Sequence, residues 1–188
     1  MSEILLIAGL GNPGSEYAKT RHNAGFMFLD KISQKTSASF KPWQKLGEYA
    51  KVSVGGKDIF LARPLTFMNL SGDMLGSLAR FYKIPPQSVL VCYDDMSLNL
   101  GEVRIRPEGS AGGQKGMLST INNFGTQEIP RLKIGTGPKP EFIDAVNFVL
   151  GKFTKEEQKT LNAALDKAVE AALCAVGEGL ERAMNKFN

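Results

Sequence analysis

Apolar runs and short alternating segments divide this 188-residue chain into strands and helices. Residues 4–10 are apolar on both faces of an extended chain, which predicts a buried strand. A turn-rich loop follows over 11–22. Residues 23–36 then put Ala24, Phe28 and Ile32 on one helical stripe, with Gly25 and Leu29 beside it. Phe40, Pro42 and Trp43 are read as part of a loop. Residues 48–54 and 57–63 flank Gly55-Gly56, a two-residue hairpin signal, and Pro64 ends the second strand. Ser71 is the expected N-cap of a helix through Tyr82, packed by Leu75, Leu78 and Ala79 and stopped by Pro85-Pro86. Residues 89–93 read as another buried strand, ending at Asp94-Asp95.

The second half continues the alternation. Val103 and Ile105 alternate with Arg104 and Arg106, the pattern of a half-exposed strand over 102–106. A Gly-rich loop over 107–115 leads to a helix over 116–124 and a strand over 131–134. Residues 135–141 hold two prolines and two glycines and read as a mobile connection. With 142–148 they are expected to form a mobile cover over a cleft. Thr154-Lys155-Glu156-Glu157 is a capping box that opens a helix to about residue 176, with a short continuation after Gly179. Strands alternating with helices, plus one inserted hairpin, predict a single α/β domain over residues 1–188: a twisted mixed sheet flanked by helices.

Composition narrows the setting. At 43% hydrophobic residues the chain can bury one good core. Twenty-three basic against 19 acidic side chains give a net charge of +4, compatible with a polyanionic partner. Cys92 and Cys174 lie far apart without metal-ligand spacing, so they read as reduced thiols and no metal is expected. The N-terminal apolar run is short and lacks a basic leader, unlike a signal peptide. No run approaches the roughly 18 apolar residues of a membrane span. These features predict a soluble cytoplasmic protein.

Gly9-x-Gly11-x-x-Gly14 matches a dinucleotide-binding pattern by letter. Its context does not fit. Pro13 removes a backbone N–H where a pyrophosphate needs donors. The Arg21-His22 loop separates the glycines from the helix. No acidic residue closes a second strand about 20 residues on, as ribose binding requires. No nucleotide cofactor is expected.

His22 is the only histidine, and it follows a strand-to-loop junction. Its imidazole can take up and release a proton near neutral pH. Functional groups in open α/β sheets gather outside the carboxyl ends of strands. The loops after residues 4–10, 57–63 and 89–93 would then bring together Asn12, His22, Asn69 and Asp94. That set suits water attack on an acyl carbon: an imidazole base, a carboxylate to fix its tautomer, and amides to donate to the acyl oxygen. No serine or cysteine sits in an evident nucleophile turn.

Gly11-Asn12-Pro13-Gly14, Tyr17, Thr20-Arg21-His22-Asn23, Thr66-Phe67-Met68-Asn69-Leu70-Ser71-Gly72, Asp94, Gly112-Gly113, Arg131-Leu132-Lys133-Ile134-Gly135 and Phe148-Val149-Leu150-Gly151 occur in this order. Nearly end to end, the chain closely resembles the bacterial peptidyl-tRNA hydrolases, which cleave the ester between a peptide and the tRNA 3′ ribose. The resemblance implies His22 as catalytic base, Asp94 as its stabilising carboxylate, and Asn12 as the residue that helps distinguish peptidyl from free aminoacyl substrate. It implies Tyr17, Phe67, Met68 and Asn69 as substrate contacts. It also implies a monomer without cofactor. Two segments depart from the family. Gly113-Gln114-Lys115-Gly116 replaces the usual His-Asn-Gly after the glycine pair, so Lys115 stands where an asparagine contacts substrate. Tyr93-Asp94-Asp95-Met96-Ser97 replaces His-Asp-Glu-Leu-Asp. Arg104, Arg106, Arg131 and Lys133 form the expected tRNA-binding set, with Lys115, Lys139, Lys152 and Lys155 nearby in sequence. The alternative is a non-catalytic RNA-binding relative, suggested by the changed segment at 113–116.

Overall fold

The computed structural model describes residues 3–188. Seven strands form one sheet: β1 (Leu6–Gly9), β2 (Lys41–Trp43), β3 (Gly47–Val54), β4 (Lys57–Pro64), β5 (Val89–Asn99), β6 (Val103–Arg106) and β7 (Arg131–Gly137). Their order across the sheet is β2-β3-β4-β1-β5-β7-β6. β1 runs parallel to β4 and β5, and β5 runs parallel to β7. β2, β3 and β4 make an antiparallel flank, and β6 closes the other edge antiparallel to β7. This is the mixed α/β sheet that the alternation predicted.

The helices are α1 (Ala24–Lys35), α2 (Ser71–Tyr82), α3 (Lys115–Phe124), α4 (Ala145–Leu150), α5 (Lys155–Gly177) and α6 (Leu180–Phe187). Both faces of the sheet are covered, which is why the central strands read as unbroken apolar runs. On one face Ile7, Leu90, Cys92, Leu132 and Ile134 pack with α1, α5 and α6. On the other, Leu6, Ala8, Val91 and Tyr93 pack with α2 and Met117 of α3.

Local chemistry sets most boundaries. Gly55 and Gly56 both have positive φ, 58° and 82°, as a tight hairpin turn of matching twist requires. Thr154 and Glu157 make the reciprocal capping box at the start of α5. Three expectations are corrected. Lys41–Trp43 is a strand, because it pairs with Gly47–Tyr49. β5 runs past residue 93 to Asn99, because β7 keeps pairing with it across an irregularity between Asp95 and Asn99. Ser71 does not cap α2 as an acceptor; its hydroxyl donates to the Met68 carbonyl at 2.9 Å, within a 3₁₀ turn at Met68–Leu70.

At the β2 edge, Trp43 is buried and its indole N–H donates to Ser77 Oγ at 3.2 Å. Tyr49 meets it edge-on with ring centroids 5.4 Å apart, and Phe81 does so at 5.2 Å.

The glycines of the Gly9-x-Gly11 pattern serve packing. A Cβ at Gly9 would lie 2.2 Å from the Gly25 carbonyl oxygen, and one at Gly11 would strike the Phe26 ring at 2.6 Å. A Cβ at Gly25 would lie 2.5 Å from the Cys92 carbonyl oxygen and from the Leu10 backbone. Helix and strands therefore touch backbone to backbone here. Gly25→Ala is expected to destabilise the protein by about 3 kcal/mol or more. That corresponds to a Tm lowered by roughly 6–12 °C in calorimetry; an unchanged Tm would show that α1 can back away.

Candidate active site

His22 lies in a 3₁₀ turn, Arg21–Asn23, that leads directly into α1. Each of the three side chains goes a different way. Asn23, 1% exposed, clamps the loop after β1: its Oδ1 accepts the Asn12 N–H at 2.9 Å and its Nδ2 donates to the Asn12 carbonyl at 2.9 Å. Arg21 reaches Glu157 with Nη2 at 2.8 and 2.9 Å, and its guanidinium lies 4.8 Å from the Phe148 ring centroid and 4.7 Å from that of Phe153. Its backbone N–H donates to the Gly151 carbonyl at 2.9 Å. His22, between them, turns to the end of β5. Its Nδ1 lies 2.9 Å from Asp94 Oδ1 and 3.0 Å from Oδ2.

Asp94 shares the face of Leu90 and Cys92 by the two-residue period of a strand. It is 3% exposed. A carboxylate this buried needs donors. Besides His22 it has one more: Gln114 Nε2 at 3.2 Å from Oδ1. With Nδ1 donating to the carboxylate, His22 presents Nε2 as its free acceptor.

His22 and Asp94 form part of one wall of a cleft of about 760 Å³. The structure brings Asn12, Phe67, Met68, Asn69 and Lys115 to the same cleft. Asn12 Oδ1 accepts the Met68 N–H at 2.8 Å, which leaves the amide NH₂ as its donor end. Phe67 is exposed, and Leu118, Val146 and Leu150 add exposed apolar surface to the lining.

The comparisons with known proteins match this architecture over the whole chain. A model of the family described as peptidyl-tRNA hydrolase matches residues 6–188. The peptidyl-tRNA hydrolase of Elusimicrobium minutum is 60% identical over 185 residues, covering 98% of this chain and 99% of that one. That of Desulfitobacterium hafniense is 47% identical over 183 residues, covering 97% and 98%. The chain belongs to the peptidyl-tRNA hydrolase family. Among solved structures, the peptidyl-tRNA hydrolase of Acinetobacter baumannii superposes with a TM-score of 0.94 at 36% identity, covering 100% of this chain and 96% of that one.

Two of the expected contacts lie outside the cleft lining. Tyr17 does not line the cleft; it is half-buried in the loop after β1, where its carbonyl accepts the Thr20 hydroxyl at 2.8 Å. Arg131 is 1% exposed, and its guanidinium donates to the carbonyls of Ser110, Gln127 and Ile129. It anchors the 107–114 loop and is closed to a solvent-borne phosphate. Strand register explains the rest of the basic set. Lys133 pairs with Arg104 across β7 and β6, and Tyr93 with Lys133 across β5 and β7. The row Tyr93–Lys133–Arg104 therefore leads from the cleft to the sheet edge, where Arg106 is exposed. Lys133 is held by Asp95 at 2.9 Å, and Arg104 lies 3.6 Å from Glu102.

Gln114 is the residue that sequence reasoning passed over. An amide in a Gly-rich loop carries no pattern of its own. The signal available was its place two residues before the helix expected over 116–124; α3 starts at Lys115, which makes Gln114 the N-cap.

Burial shapes the surrounding electrostatics. It pushes the Tyr93 phenol up to about 12, against the pull of the Arg131 guanidinium. Burial, reinforced by the Asp94 charge, puts the Cys92 thiol well above its ordinary value. No group of three or more His, Cys, Asp or Glu side chains suited to a metal lies among the described residues.

Burial alone would raise the Glu157 carboxyl, but the Thr154 N–H and Arg21 outweigh it and hold the group below its ordinary value of 4.5. A carboxyl lowered on folding stabilises the native state above its unfolded value, and that share is lost as pH falls through the folded value. Glu157→Gln should therefore be less stable than the parent at about pH 7, with the gap closing at about pH 3. Urea midpoints at the two pH values check this; a gap of the same size at both would remove the Arg21–Glu157 pair as its source.

Proposed function

We propose that this chain hydrolyses the ester joining a peptide, or an N-blocked aminoacyl group, to the 3′ ribose of tRNA, so recycling tRNA from peptidyl-tRNA released by ribosomes. The observation that carries the reading is the single imidazole on the cleft wall, with Nδ1 at 2.9 Å from a buried carboxylate. In this reading His22 Nε2 takes a proton from a water as the water oxygen attacks the acyl carbon. Asp94 holds the ring tautomer and stabilises the imidazolium that forms. The Asn12 NH₂ donates to the acyl oxygen as negative charge develops there. The acyl–oxygen bond then breaks, and the imidazolium returns the proton to the ribose 3′-oxygen. Water and ester become a carboxylic acid and a free 3′-hydroxyl, and His22 is again neutral.

Phe67, Met68, Asn69 and Lys115 are the substrate contacts in this reading, all on the cleft wall. The apolar surface of Leu118, Val146 and Leu150 suits the peptide. Arg104, Arg106 and Lys133 lie along a path from the cleft to the sheet edge, the placement needed to contact phosphates without reading sequence. Nucleobases and the anticodon have no role in such binding.

No helix among the described residues is long and apolar enough to cross a membrane. Both cysteines are buried and unpaired, which suits a reducing compartment, and we read the protein as cytoplasmic.

Single-turnover hydrolysis of N-blocked aminoacyl-tRNA tests the reading. His22→Ala should slow cleavage by about 10²–10⁴-fold with the circular dichroism spectrum unchanged, and Asp94→Asn should slow it strongly by misorienting the ring. Near-normal rates in His22→Ala would exclude it as the base, and tight binding without cleavage by the parent protein would instead favour an RNA-binding relative. For the basic row, Arg106→Ala should reduce the slope of log K against log salt by about 1. Equal slopes for variant and parent would move the tRNA elsewhere on the surface.

A further inference from the structure

Gln114 joins the N-terminus of α3 to the His22–Asp94 pair. Its side chain is nine-tenths buried. Oε1 accepts the Met117 N–H at 2.7 Å, so it caps α3. Nε2 lies 3.2 Å from Asp94 Oδ1 and 3.3 Å from Met68 Sδ. Its backbone is fixed as well, with its N–H donating to the Ala111 carbonyl and its carbonyl accepting the Leu118 N–H. The positive φ of Gly112 and Gly113, 57° and 82°, turns the chain into this position.

An amide is a donor at one end and an acceptor at the other. The cap decides which end is which here. Met117 offers only an N–H, so the oxygen must face α3 and the NH₂ must face the carboxylate. A rotation that reversed the amide would set two N–H groups against each other and two oxygens against each other. Gln114 is therefore a donor with only one workable orientation. Asp94 Oδ1 receives it together with His22 Nδ1, so the carboxylate is held from two sides. One side is the turn before α1; the other is the turn before α3.

We propose that Gln114 is a positioning residue for the ester hydrolysis: its capped amide fixes the Asp94 carboxylate against His22 Nδ1 and ties that geometry to the N-terminus of α3, which bears Lys115. The proposal rests on the reading of His22 and Asp94 as the working pair. Hydrogen bonds to an ionised acceptor are the stronger kind, and a buried carboxylate with one donor removed loses orientation first. Other titratable groups around the pair are Cys92, Tyr93 and Asp95 on β5, Lys133 on β7 and Lys115 on α3. Burial keeps the Cys92 thiol and Tyr93 phenol protonated near neutral pH, and Asp95 is paired with Lys133.

Gln114→Glu separates this role from the cap. A glutamate still accepts the Met117 N–H, so a cap-only role predicts a parental kcat. A positioning role predicts a lower kcat, because the substitution puts a carboxylate where the amide NH₂ donated to Asp94 and so removes that donor. Because the chain has one histidine, its ring protons can be followed by NMR without assignment. In Gln114→Glu kcat should fall several-fold with KM near the parental value, and the displaced carboxylate should move the His22 ring signals recorded at one fixed pH. A parental kcat in Gln114→Glu would overturn the proposal. Gln114→Met, which keeps length and loses both polar ends, should lower kcat about tenfold with KM within about twofold; parental kcat in that variant would overturn it too. Failure of the parent protein to cleave N-blocked aminoacyl-tRNA would instead sink the catalytic reading, since the His22 ring signals are read without turnover.

Discussion

At Gly25 the backbone of α1 rests on the backbone of β1 and β5, with no side chain between them. Leu10 N–H donates to the Cys92 carbonyl at this same point, at 2.9 Å. His22 lies three residues before the contact and Asp94 two residues after it. Their separation is thus set by main-chain packing, which is stiff, and little by the torsions of long side chains. The turn at Arg21–Asn23 works within that constraint. Asn23 fixes the Asn12 loop, Arg21 fixes the segment around Gly151, and the histidine between them has a single direction left.

The buried carboxylate adds the second constraint. Asp94 sits where an unpaired charge would be costly. Two donors from two different elements answer it, and both carry the chain toward the cleft. Stability and chemistry therefore ask the same thing of this pair. A carboxylate held on two sides needs little reorganisation when a proton arrives on the ring, which is how fixed polar groups favour a charged transition state.

Much of this was legible beforehand, for physical reasons that differ by residue. β1 and the core of β5 show as apolar runs because both sheet faces are covered. Gly55-Gly56 and the Thr154–Glu157 box are local, so their outcome needs nothing from the rest of the chain. The convergence of Asn12, His22, Asn69 and Asp94 followed from strand ends alone. Arg131 was misread because a charge on an alternating strand looks solvent-facing, and only the loop folded over it shows otherwise. β2 and the far end of β5 exist through their partners, since neither segment has a period of its own. Gln114 became visible once α3 fixed the direction of its amide.

Trp43 is the only tryptophan in the chain, and it sits in the aromatic corner at the β2 edge. Four strand spacings separate β2 from β5, roughly 19 Å across the sheet. The indole is therefore a native fluorophore tied to the antiparallel flank, well removed from the strand that carries Asp94. Light emitted from that corner reports whether the flank is folded and leaves the chemistry of the opposite half unseen, so the intact protein carries its own optical gauge of folding at a distance from its one titrating imidazole.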